Sequence, residues 1–205
     1  MTTSTDIVNI ALRRVGAVRI SSLATDSVKE AVTARDLYDE ARRDLLASHT
    51  WNFATKRARL QSSVAADIAA TPAFGWDYAY IMPDDFLRMV SVHPSDAESA
   101  SIEYRLEFQE DKDRVLLCNS TEVYIKYIFD LEDVNVMSAS FRDVLAWRCA
   151  RDLAAALSKS ASAAEMADNA MRRQLARAKS VEGIEDFPDT MAEGDWSKSR
   201  FGGGL

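Results

Sequence analysis

The chain has 205 residues, 47% of them hydrophobic, and a formal net charge of −7 from 25 Lys and Arg against 32 Asp and Glu. That is apolar material for one ordinary domain plus a smaller insertion, and the acidic balance argues against a chain built to grip phosphate backbones or anionic membranes. Cys118 and Cys149 supply neither a disulfide framework nor a metal pattern and fit synthesis in a reducing compartment; the best apolar stretch, residues 143–157, is shorter than the roughly 20 residues that span a bilayer.

The opening "MTTSTDIVNIALRR" has no basic n-region and meets Asp6 before an apolar run develops, so no signal peptide is expected. Thr3 with Asp6 has the spacing of a capping box, and Gly16 stands where a left-handed stop is wanted, which predicts a first helix ending near Val15. A second helix is expected from Ser27 with Glu30, its buried stripe formed by Ala31, Ala34, Tyr38, Ala41 and Leu45 at spacings of three and four. Between residues 55 and 130 the pattern turns to short β-like runs: "LRMVSV", "SIEYRLEF", "RVLLC" and "EVYIKYIF", with Asn119 and Ser120 as a hairpin turn. A third helix is expected from Ser140 with Asp143, burying Phe141, Leu145, Cys149, Leu153 and Leu157, and a fourth from Ser162 with Glu165. The fourth is Ala-rich and weakly amphipathic, which suggests another chain as its partner. From residue 184 the sequence has no period, carries two positive against five negative charges, and reads as an extended tail.

These elements predict an α+β fold, a bundle of about four helices with an inserted antiparallel β-domain. The expected boundaries are 1–54 and 131–183 for the helical body, 55–130 for the insertion and 184–205 for a C-terminal arm.

Candidates for chemistry are few, and no catalytic, metal-binding or cofactor-binding residue is assigned. His49 precedes Trp51 as a partly buried ring would, and His93 lacks a nucleophile with the context of a triad. Asp84 and Asp85 in "MPDDFL" form a weak carboxylate pair for glycosidic chemistry, and Glu110, Asp111 and Asp113 read as a solvated hairpin tip without the glycine of a calcium loop. From Arg42 to Arg59 the charge is five positive against one negative, with Trp51 and Phe53 interleaved, the composition of a single-strand binder. Burial of the two rings is worth about 2 to 3 kcal/mol each and favours a structural joint. Trp51, Phe53, Trp76 and Tyr80 are expected to form one aromatic core where helices meet sheet. In the arm, Phe187, Trp196, Phe201 and Leu205 are spaced as anchors for a groove on another chain.

The runs "ALRRVGAVRISSL", "DSVKEAVTARDLYDEARRDLLASHTWNFATKRARL", "FGWDYAYIMPDDFLRMVSV" and "VYIKYIFDLEDVNVMSASFRDVLAWRCARDLAAALSKS" occur in this order over roughly residues 7 to 160. In that order they resemble the head-to-tail adaptor of short-tailed bacteriophages, the tail tubular protein A type. The resemblance implies a structural virion protein without catalysis or cofactor, made in the host cytoplasm. It also implies a dodecameric ring between the portal protein and the tail nozzle protein, with DNA passing through the channel without sequence-specific binding and no membrane contact. The alternative is a phage-encoded glycan hydrolase with Asp84 or Asp85 as its acid; a DNA-binding regulator would require an exposed basic face.

Overall fold

The computed structural model describes residues 1–60, 72, 74–96, 101–108, 114–158 and 160–185. Helix α1, Ser4–Arg14, starts as expected: the Thr3 hydroxyl accepts from the Asp6 amide, the Asp6 carboxylate accepts from the Thr3 amide, and Gly16 follows at φ 72°. Helix α2, Lys29–Ala47, buries Ala31, Ala34, Tyr38, Ala41 and Leu45, but its N-cap is Val28 and no side chain caps it, so the Ser27 box does not form. Helix α3, Ala139–Leu153, is capped by Ser138 through the Phe141 amide at 3.2 Å, and it runs on into a π-helical segment, Ala154–Ser158. Helix α4, Ala161–Glu185, starts with the Ser160 hydroxyl accepting from the Ala163 amide at 3.3 Å. Each of these two helices offers a pair of serines two residues apart. The backbone uses the first, leaving Ser140 and Ser162 inside the opening turn.

Helix α3 is the centre of the bundle, with α1, α2 and α4 packed on it. Phe141, Leu145, Cys149 and Leu153 are buried there and Leu157 packs at the edge, so the stripe read from the sequence is the one the bundle uses.

The inserted region is antiparallel, as expected. Among the described residues it holds two three-stranded antiparallel sheets. One has the order β1-β6-β3, with β1 Thr55–Leu60, β6 Val123–Phe129 and β3 Phe86–His93; the other has the order β2-β5-β4, with β2 Tyr78–Ile81, β5 Arg114–Cys118 and β4 Arg105–Phe108. Asn119 and Ser120 therefore do not close a hairpin. Strands β5 and β6 lie in different sheets, and the segment between them carries the chain across: the Asn119 side chain accepts from the Asp77 amide at 3.0 Å, and the Ser120 carbonyl accepts from the Tyr80 hydroxyl at 2.7 Å. The facing sides of the two sheets share one core, with Leu60, Val92, Val123, Ile125 and Tyr127 on one side meeting Tyr80, Leu116 and Cys118 on the other. Strand β6 alternates, as a strand must. Tyr127 enters this core while Ile128 enters the helical one.

Candidate functional site at the helix–sheet junction

The junction is built from charges that the chain pairs with one another. Arg42, on the side of α2 next to its apolar stripe, is 1% exposed. Its guanidinium donates to the Asp130 carboxylate and to the Leu131 carbonyl, the latter at 2.8 Å, and Arg43 holds the second carboxylate oxygen of Asp130 at 2.7 Å. The Asp130 amide in turn donates to the Asp85 carbonyl at 2.8 Å. Asp85 is itself committed: its carboxylate accepts from Lys56 at 2.6 Å and from the Tyr127 hydroxyl at 3.0 Å, while the Lys56 ammonium lies 3.8 Å from the centre of the Phe129 ring. A buried carboxylate costs free energy unless it is hydrogen-bonded, and this network supplies the partners.

Of the basic stretch from Arg42 to Arg59, Arg42, Arg43, Lys56 and Arg59 thus meet acids of their own chain, Arg59 on Glu122 at 2.7 Å, and the single-strand grip gains no support from them. Asp85, half of the carboxylate pair considered for glycosidic chemistry, is occupied by Lys56 and Tyr127, whereas Asp84 is exposed. Glu110, Asp111 and Asp113 lie outside the described residues, as do the proposed arm anchors Phe187, Trp196, Phe201 and Leu205. Among the described residues no group of three or more His, Cys, Asp or Glu is placed to hold a metal ion, and no helix is long and apolar enough to cross a membrane.

The four aromatic residues expected to share one core do not. Trp51 is fully buried in the helical core, donates from its indole to the Leu45 carbonyl at 3.1 Å, and meets Phe141 edge-on with ring centres 5.0 Å apart. Phe53 joins it, 5.8 Å from Trp51 and 5.1 Å from Phe141. Tyr80 belongs to the core between the sheets, and Trp76 packs on a third cluster of Ala79, Val115 and Leu117. The reason is strand periodicity: on β2 and β5 neighbouring residues point to opposite faces, so Tyr80 and Ala79 enter different clusters. His49 stacks edge-on against Trp51 at 5.0 Å, and His93 sits 2.8 Å from the Ser91 hydroxyl.

Sequence reading missed Glu182, 3% exposed near the end of α4, whose carboxylate accepts from the Asn52 amide at 2.6 Å and so clamps the last helix onto the short turn, Asn52–Ala54, that follows α2. Only its place four residues after Ala178, on the inward face, could have signalled it. Burial governs the tyrosines and cysteines of the two cores. It pushes the Tyr80 and Tyr127 hydroxyls up to about 12, helped at Tyr127 by the bond to Asp85, and it raises the Cys118 thiol and lifts Cys149 to about 12. Neither thiol is a nucleophile at neutral pH.

Fold and junction define an α+β protein whose interior charges are devoted to holding a helical core to a pair of sheets. The sequence profile of the tail tubular protein family matches residues 5–183, and the chain belongs to that family. It is a structural component of a bacteriophage tail, and hence of the virion. No curated protein matches it.

Proposed function

We propose that the protein is a ring-forming head-to-tail connector that joins the portal to the tail nozzle and forms part of the DNA channel. The observation that carries the reading is the extent of the family match, residues 5–183, which takes in the helical core and both sheets together. In this reading residues 1–54 and 131–183 form the body of a dodecameric ring, residues 55–130 face the nozzle, and Trp51 and Phe53 stiffen the joint between them. The arm, residues 184–205, docks on the portal or a neighbouring subunit through Phe187, Trp196, Phe201 and Leu205. The subunits are made in the host cytoplasm, and the net charge of −7, repeated around a ring, lets DNA pass without being held.

Imaging and light scattering of the purified protein mixed with its portal test the reading. A ring seated on the portal is expected, and chains ended after Glu185 should remain folded yet bind the portal weakly. Full-length protein that stays apart from the portal at micromolar concentration overturns the connector role.

A further inference from the structure

The outward faces of α2 and α4 are complementary in charge and in spacing. On α2, Val32 is 42% exposed and is followed at steps of four by Asp36 and Glu40, both exposed. On α4, Val181 is 41% exposed and is preceded at steps of four by Arg177 and Arg173, also exposed. Among the described residues no ion pair engages Asp36, Glu40, Arg173 or Arg177, whereas Arg42, Lys56, Arg148 and Arg172 each meet an acid of their own chain. Residues four apart form one ridge, about 6 Å per step along the axis. Laid antiparallel, the two ridges therefore stay in register over three positions, valine on valine and then acid on base twice.

The chain cannot satisfy this register within itself. The clamp from Glu182 to the Asn52 amide ties the C-terminal end of α4 to the turn that follows the C-terminal end of α2, whereas the complementary register needs it at the opposite end, beside Val32. Both helices pack on α3, so their outward faces look away from a shared core. We infer that a second copy of this chain lays its α4 antiparallel on α2, with Val181, Arg177 and Arg173 of one copy against Val32, Asp36 and Glu40 of the other. The contact is heterologous, since each copy offers one partner face at each of two places, and repetition leads to a closed ring or an open filament. The inference deepens the connector reading and rests on it for closure of the ring.

Disulfide trapping between two full-length variants, Val32→Cys and Val181→Cys, tests the contact; the native Cys118 and Cys149 are buried and stay out of the reaction. The variants are mixed, with and without portal, and oxidised. A linked pair of twice the chain mass is expected. Adding Arg173→Glu and Arg177→Glu to the Val181→Cys chain should slow linking about tenfold, and adding Asp36→Arg and Glu40→Arg to the Val32→Cys chain should restore it. Circular dichroism of each variant confirms that the fold is kept. No linked pair under either condition, or linking indifferent to both reversals, overturns the inference. A ring on the portal without the linked pair sinks this contact alone, whereas a charge-dependent linked pair without any ring on the portal supports the contact and sinks the connector role.

Discussion

Asp130 shows how much of the junction hangs on a single side chain. It neutralises Arg42, whose side chain is 2% exposed, while its other oxygen serves Arg43, which is 56% exposed. Asp130→Ala leaves the buried Arg42 guanidinium with only the exposed Asp39 carboxylate, 3.5 Å away, and should cost about 3 to 5 kcal/mol in urea unfolding, because removal of the buried partner leaves the guanidinium largely uncompensated. Arg43→Ala gives up a solvated contact and should cost less than about 1 kcal/mol. Equal losses for the two would show that Arg42 finds water or another acid. Trp51→Ala opens a hole beside Phe141, for an expected loss of about 3 to 5 kcal/mol by thermal melting. The burial of Trp51 was legible in its neighbours Phe53 and His49. The burial of Arg42 was not, since an arginine beside an apolar stripe reads as solvated until an acid from 88 residues away is seen to reach it.

The helices were more legible than the strands. Periodicity marked the inward residues of α2 and α3, since those stripes are local facts of a helix. The strand partners are not local: "RVLLC" and "EVYIKYIF" look like two arms of a hairpin, yet they belong to two sheets that face each other, and β1 hid within a run of charges because its outward residues, Arg57 and Arg59, are exposed. The pairing of those sheets makes a prediction about alkali. Tyr80 and Tyr127 stay neutral up to about 12 in the folded chain, against an ordinary value of about 10 when unfolded. The stabilisation from keeping them protonated is complete below about pH 10 and is lost as the pH climbs towards 12, because only the unfolded chain releases its protons in that window. The near-ultraviolet absorbance of phenolate should therefore rise for these two residues together with the loss of strand signal in circular dichroism, and Tyr127→Phe should shift that loss to higher pH. Phenolate formation at Tyr127 well before the sheets separate would contradict the assignment.

At the scale of the molecule, the two cores are separate clusters joined along one strand. Ile128 lies in the helical core, Tyr127 in the core between the sheets, and Phe129 packs against both. The Asp130 network follows at the next residue, so hydrophobic and ionic ties fall within four consecutive positions. Ties this dense should make the two cores unfold as one, and tryptophan fluorescence, dominated in the helical core by Trp51 and Trp147, should follow the same urea transition as the strand signal in circular dichroism. Ile128→Ala combined with Phe129→Ala cuts the ties from the hydrophobic side. The expected result is two transitions, the sheets separating first because their core is made of short strands with an exposed edge in β4, and the helices following with their own contacts around α3 intact. Superimposable transitions in that double variant would mean that the ion pairs of Asp130 and Asp85 couple the cores by themselves, and the place to look next would be Asp130→Ala in the same background.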